Sequence, residues 1–237
     1  MTVTGRLDVA VFDVQDIDRV AAFYSELAGW EIVDKDSDWA TLRAGDGQEV
    51  AFQLAPDLVP PQWPGQEHPQ QFHLDLQVDK YQEAAERAVE LGATRLADGA
   101  SWITLTDPAG HPFDLCQKDG VGPDMALFAV TIDAPDAAGL ARFYADLMGM
   151  EVTYEGPEGA LIAGNDRFVM FQQISDYTPP RWPDPAYPQQ AHLDIAVDDL
   201  DTGQERALAL GATLLPDPGE RFRVFADPAG HPFCLTV

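Results

Sequence analysis

Two apolar segments each carry a histidine two positions before an aspartate: His73 with Asp75, and His192 with Asp194. In an extended chain, residues i and i+2 point to the same face. Each pair therefore sets an imidazole beside a carboxylate, which is what general acid–base chemistry asks for: a group that titrates near neutrality and a partner that orients it or shares its proton. The alternating neighbours Leu74, Leu76 and Val78, and Leu193, Ile195 and Val197, take the other face and are expected to pack under a helix. That leaves His73, Asp75 and Gln77, and His192 and Asp194, on an open face. Near the end of each half, the same alternation groups Asp114 with Cys116, and Cys234 with Thr236. A nucleophilic thiol needs an adjacent base, and His192 opposite Cys234 is the one candidate. Inert, reduced thiols are the simpler reading of both cysteines.

Each feature also has a reading without chemistry. A histidine can serve structure alone, hydrogen-bonded to Asp75, Asp194 or the backbone, but both copies stand in one Gln-Gln-x-His-Leu-Asp frame, which favours a lining role. His111 and His231 lie in Asp-Pro-Ala-Gly-His-Pro-Phe, where proline fixes φ and glycine takes positive φ, so they are read as turn residues leading into a last strand. Trp63 and Trp182 lie in Pro-Pro-x-Trp-Pro segments, read as rigid crossovers whose indoles also contribute to a pocket wall.

These groups recur because the chain is duplicated. Pro60–Val78 and Pro179–Val197 agree at 11 of 19 positions, and Asp107–Phe113 is repeated at Asp227–Phe233. Such density at a fixed spacing of about 120 residues marks two copies, with a boundary in the Gly/Pro/Asp-rich stretch Lys118–Asp124. Domains are expected at 1–119 and 124–237. A fainter repeat divides each copy again. Val20, Phe23, Tyr24 and Leu27 follow helical spacing, with Asp16 as N-cap and Gly29 as a left-handed stop; Leu140, Phe143, Tyr144 and Leu147 repeat this between Asp136 and Gly149. Weaker helical stripes, such as Tyr81, Ala84, Ala88 and Leu91, run from Asp79 to Gly92 and from about Asp198 to Gly211. Turn residues at Gly45-Asp46-Gly47, Asp98-Gly99, Gly164-Asn165-Asp166 and Asp217-Pro218-Gly219 leave room for three short strands after each helix. The unit is βαβββ, four times over, in an α+β protein whose sheets carry helices on one face.

Bulk properties exclude some partners. Against 40 Asp and Glu the chain has 14 Lys and Arg, a formal charge of −26, so phosphate backbones and anionic lipid would repel it. No nucleic-acid or membrane partner is expected. Met1 to Val11 holds only Arg6 as a cation and no long apolar stretch, and two cysteines make no disulfide framework, so a cytoplasmic protein is expected.

The segments FYSELAGWE and FYADLMGME, HLDLQVD and HLDIAVD, the Leu-Gly-Ala-Thr steps and DPAGHPF together resemble the vicinal-oxygen-chelate superfamily, specifically its tandem glyoxalase-like and bleomycin-resistance-like proteins. The resemblance spans the whole chain. It implies two domains, each a curved eight-stranded mixed sheet of paired βαβββ modules, with helices on the convex face and a small organic molecule in the cup. It further implies metal-ligand positions at Val9 and Ala129, near Gln53 and Gln172, at His73 and His192, and at Asp114 and Cys234. Val9 and Ala129 cannot bind a metal. The first copy would assemble at most His73, Asp114 and the amide of Gln53, and the second His192, Cys234 and Gln172, a set leaning towards zinc.

Small-molecule binding, such as drug or metabolite sequestration, without a complete metal site or resident cofactor is thus the first expectation. The cup would be lined by Gln53, Trp63, His73, Asp75, Asp114, Gln172, Trp182, His192, Asp194 and Cys234. The alternative is a glyoxalase-like lyase or isomerase, or a dioxygenase, using a divalent metal or a His73 base with Asp75 or Asp114. Two domains in one chain can mimic a dimer, so monomer and homodimer both stay open.

Overall fold

The computed structural model describes residues 5–216 and 220–237, so the turn expected at Asp217-Pro218-Gly219 lies outside the described residues. The first copy runs β1 (Arg6–Val14), α1 (Ile17–Ala28), β2 (Glu31–Lys35), β3 (Trp39–Arg43), β4 (Glu49–Leu54), β5 (Phe72–Val78), α2 (Tyr81–Glu90), β6 (Thr94–Asp98), β7 (Trp102–Thr106) and β8 (Pro112–Gln117). The second runs β9 (Ala126–Ala134), α3 (Ala137–Met148), β10 (Glu151–Gly156), β11 (Gly159–Gly164), β12 (Arg167–Gln173), β13 (Ala191–Ala196), α4 (Leu200–Leu210), β14 (Thr213–Leu214), β15 (Phe222–Ala226) and β16 (Pro232–Thr236). The βαβββ unit is present four times.

The helix ends follow their sequence signals. Asp16 accepts from the Arg19 amide at 3.0 Å and Asp136 from the Gly139 amide at 2.9 Å, each a cap of roughly 1 kcal/mol. Gly29 and Gly149 stop α1 and α3 at φ 73° and 66°, a conformation that penalises any Cβ. In α4 the cap is Asp199, which accepts from Thr202, while α2 starts at Tyr81 without a side-chain cap. The buried stripe of α1 sets Tyr24 in a stack between Trp30 and Phe52, with ring centres 5.6 and 5.4 Å away. Burying such rings contributes roughly 1.5–3 kcal/mol each, so α1 is held by packing more than by propensity.

Hydrogen bonding arranges the strands in two eight-stranded mixed sheets, ordered β14-β15-β16-β13-β1-β4-β3-β2 and β10-β11-β12-β9-β5-β8-β7-β6. The repeat suggested that each half would close a sheet of its own. Instead β1–β4 share a sheet with β13–β16, and β5–β8 with β9–β12. The physical reason lies in the duplication itself: two copies of one module offer equivalent strand edges, and local pattern cannot choose between them. By compactness the chain forms one unit of 12–130 and another of 1–11 with 131–237, and the division falls inside β1 and β9. No helix among the described residues is long and apolar enough to cross a membrane.

Candidate functional site

In the unit of residues 12–130, β5 and β8 run parallel with Leu74 opposite Phe113, Asp75 opposite Asp114 and Gln77 opposite Cys116. On the far side of β8, antiparallel β7 sets Thr104 opposite Asp114 and Trp102 opposite Cys116. Paired residues share a face, so one face of three strands presents His73, Asp75, Asp114, Thr104, Cys116 and Trp102. Leu74, Leu76, Phe113 and Leu115 occupy the opposite face and are at most 1% exposed.

The ligand atoms of His73, Asp75 and Asp114 all lie within 4.8 Å of one another. The open-face expectation is corrected at β5, where His73 and Asp75 are 6% and 5% exposed, whereas Asp114 and Cys116 on β8 are half-buried and Trp102 on β7 is exposed. Two carboxylates and an imidazole held out of water are costly unless hydrogen bonds, a proton or a cation compensate. Burial raises the Asp114 carboxyl above its ordinary value, against the opposing pull of His73 and a hydrogen bond from Thr104, and nearby Asp75 raises it further. Burial and the same two carboxylates push the Cys116 thiol up, so it stays protonated and donates to Asp75 Oδ1 at 3.7 Å. His73 Nε2 stands 3.8 Å from Asp75 Oδ2, beyond hydrogen-bond length. Its Nδ1 stands 3.0 Å from Gln70 Nε2. With the amide donating, Nδ1 accepts, and the neutral ring carries its proton on Nε2, towards the carboxylates.

The second unit repeats the plan with different chemistry. On parallel β13 and β16, Asp194 stands opposite Cys234, and across antiparallel β15 Cys234 faces Val224. His192, Asp194 and Cys234 converge within 4.8 Å; His192 Nε2 is 3.4 Å from Asp194 Oδ1, and Gln189 Nε2 is 3.0 Å from His192 Nδ1. Burial, then Asp194, raise the Cys234 thiol, which makes it a poor nucleophile as it stands.

Against this geometry, the model of the glyoxalase-like domain matches residues 9–116 and again residues 129–236. The chain belongs to this family. It is a tandem glyoxalase-like protein of the vicinal-oxygen-chelate superfamily. It is 28% identical, over 94% of its length and 92% of the relative's, to CFP32 of Mycobacterium bovis, a candidate glyoxylase. The structure of glyoxalase I from Zea mays is similar at 21% identity, with a TM-score of 0.74 over 99% of this chain and 92% of that one. A candidate dioxygenase from Bacillus subtilis is similar at 12% identity and a TM-score of 0.63, over 100% of this chain and 86% of that one. At these identities the structural likeness speaks for the glyoxalase-like fold alone.

Within the glyoxalase-like frame, the residues singled out by sequence fall into two groups. His73, Asp75 and Asp114 are brought together, as are His192, Asp194 and Cys234. Gln53 is not with His73: it sits on β4, paired with Trp39, in the sheet that holds His192 and Cys234, and Gln172 on β12 pairs with Gly159 in the sheet that holds His73. The expected set of His73, Asp114 and Gln53 is therefore replaced by His73, Asp114 and Asp75, because strand order rather than chain proximity groups the side chains. Trp63, 37% exposed, and Trp182 lie in the crossovers before β5 and β13. Sequence reasoning missed Gln70, Gln189, Thr104 and Trp102. Only the two glutamines left a trace, in the repeated Gln-Gln-x-His frame.

His111 and His231 belong to a different network. Tyr24 donates to Asp107 at 3.2 Å and Tyr144 to Asp227 at 3.0 Å, tying α1 and α3 to the turn before each last strand. Asp107 also accepts from the Ala109 and His111 amides, and the His111 ring bonds the Asp13 carbonyl at 2.7 Å. The turn reading of these histidines agrees with that geometry.

The donor sets of the two clusters suit a divalent cation. An imidazole and two carboxylates fit a hard ion such as magnesium, manganese or iron, and an imidazole, a carboxylate and a thiolate fit zinc. Bound at His73, Asp75 and Asp114, such an ion would supply Lewis-acid polarisation of a ligand oxygen. For His73 Nε2 to offer a lone pair, its proton must move to Nδ1, and the Gln70 amide must turn so that its oxygen accepts from Nδ1.

Proposed function

We propose that this protein binds a small organic molecule at the His73–Asp75–Asp114 face of its first copy, and that binding rather than turnover is its primary role. The carrying observation is the convergence of one imidazole and two carboxylates within 4.8 Å on one strand face, with His73 and Asp75 buried and Asp114 half-buried. Beside it Trp102, 41% exposed, offers an aromatic wall. A few convergent polar groups next to an apolar surface suit recognition of a polyfunctional ligand. The negative cluster and indole favour ligands that carry a hydrogen-bond donor or a positive charge. Gln71 Oε1 is a buried acceptor with no partner among the described residues, and Gln71 precedes β5 with the parity of His73 and Asp75. A ligand donor reaching that oxygen would recover a hydrogen bond worth roughly 1 kcal/mol.

A second reading is a metal-using or His73-based enzyme of the lyase, isomerase or dioxygenase kind. Its support is that Asp75 completes three donors where the sequence alone offered two and an amide. In that reading His73 moves a proton at Nε2 while Asp75 and Asp114 share or orient it.

One experiment separates the two: elemental analysis of protein purified without chelator or metal-binding tag, comparing wild type with His73→Ala and Asp114→Ala. Metal-free, folded protein whose thermal stability rises with organic cations, and loses that response in both variants, supports binding. Near-stoichiometric manganese, iron, nickel or zinc that disappears in both variants reverses the ranking.

A further inference from the structure

The unit of residues 1–11 and 131–237 holds a cavity of about 280 Å³ lined by Arg6, Asp8, Met148, Met150, Asn165 and Arg167, among others. It lies at the start of β1, the C-terminal end of α3 and the β11–β12 hairpin, and none of its lining residues belongs to either cluster described above.

The duplication supplies an internal control. The corresponding positions in the other unit are plugged: Trp30, where the second copy has Met150, is 1% exposed and donates from Nε1 to the Met125 carbonyl at 2.8 Å. Gln48, where the second copy has Arg167, is 8% exposed and donates to the Leu127 carbonyl. Ala126 and Phe128 stand where the second copy has Arg6 and Asp8. Four exchanges thus turn a filled corner into a cavity and bring in two guanidinium groups.

Those guanidinium groups are not committed to an acid, a state they share with Arg19 and Arg221 among the described residues. Arg43, Arg95, Arg142 and Arg223 each pair with a carboxylate, as 40 acidic side chains against 14 basic ones would favour. Arg6 and Arg167 make no ion pair or side-chain hydrogen bond among the described residues. The walls are also held in place. Gly5 donates to the Leu147 carbonyl at 3.0 Å, and a Cβ at Gly164 would stand 3.0 Å from Met150 Cγ. Asn165 and Asp166 take φ of 53° and 58°, which closes the hairpin in two residues.

We infer that this cavity is a second ligand site, for a compact organic anion with a short apolar body. Guanidinium groups pair with carboxylate or phosphate oxygens in a fork geometry that a neutral group does not reward. Met148, Met150 and Leu7 cover the apolar part. The volume falls just under the usual range for small-ligand sites, about 300–1,000 Å³, which limits the body to roughly one ring. Asp8 opposes the anion and tempers its affinity.

The test is calorimetric titration of the whole chain with benzoate, phenyl phosphate and neutral benzyl alcohol, at low ionic strength and at about 0.15 M salt, where charges are screened beyond about 8 Å. At least one anion binds one-to-one, weakens with salt, and outcompetes the alcohol. Arg6→Gln and Arg167→Gln each weaken it about tenfold, the cost of one charge-assisted bond. Asp8→Asn tightens it, Met150→Trp abolishes it by refilling the corner as Trp30 does, and His73→Ala leaves it unchanged. Anions that bind no better than the alcohol overturn the inference, as does binding that survives both Arg167→Gln and Met150→Trp. If an arginine variant does not fold, Asp8→Asn and Met150→Trp decide by the same criteria.

Discussion

Thr104 on β7 stands across from Asp114 on β8 and hydrogen-bonds its carboxylate, whereas at the same place in the second copy Val224 stands across from Cys234. The hydroxyl and the carboxylate occur together and are absent together, as expected if each is costly without the other: a buried carboxylate needs a donor, and a thiol does not. Cys234→Asp alone should therefore destabilise the protein by about 1–3 kcal/mol, and Val224→Thr should recover part of that loss. A double-mutant cycle by chemical denaturation should give a coupling of at least about 0.5 kcal/mol. Strict additivity would mean that the pairing has no energetic content.

The Asp114 carboxyl is raised by burial above the ordinary aspartate value of 3.8, so over the window between the two the folded protein holds a proton that the unfolded chain releases. The sign follows from linkage. Where the folded state binds more protons, stability falls as pH rises, from the ordinary carboxylate value through the raised one. Asp114→Asn should remove that fall. Thermal unfolding should show the variant gaining on wild type as pH is raised from about 3.8. A constant difference across this window would contradict the assigned burial effect.

Gln70 Nε2 stands 3.0 Å from His73 Nδ1, and with the amide donating there Nδ1 is the acceptor. Replacing Gln70 with Glu leaves only acceptors at that place, which requires a proton on Nδ1 and frees the Nε2 lone pair. Gln70→Met removes both options. The Glu variant should bind manganese about tenfold more tightly than the Met variant, the usual scale for a group orienting a metal ligand. Nitrogen-detected NMR of His73 should show Nδ1–H in the Glu variant. An Nε2–H ring there would refute the role given to Gln70.

The exposed indole of Trp102 lies against Gly99, where an added Cβ would stand 2.2 Å from the ring. Gly99 thus seats the indole, and its Cα hydrogen, not its backbone freedom, is the feature required. Gly99→Ala should shift the Trp102 ring and weaken ligand binding at the His73 face by about tenfold, with little loss of stability because the turn is exposed. Emission changes that Trp102→Phe removes would assign the signal to this ring. Undisturbed binding in Gly99→Ala would exclude Trp102 as a wall of the site.

Much of the fold was legible in the chain because it is written in local pattern. The spacing of Phe23 and Tyr24 between Asp16 and Gly29 sets a helix with both its ends, and the alternation around His73 sorts its strand into two faces. The site was legible in part. His73, Asp75 and Asp114 were visible as types and parity, but parity along one strand does not say whether Asp75 or Gln53 stands third beside His73 and Asp114, and Thr104 and Trp102 sit on a strand whose register no local signal sets.

The amino-acid sequence by itself determined the duplication, the four βαβββ modules and the polar residues that each strand turns away from its helix. These depend on periods of two and 3.6 residues along one chain. Only the tertiary structure decided that β1–β4 join β13–β16, that Asp75 rather than Gln53 completes the His73 cluster, and that Met150 opens a corner which Trp30 fills. Those outcomes depend on which strand edges meet and in what register, and on how much volume is left between packed elements. Such non-local quantities are degenerate in a chain that carries two similar copies of every module.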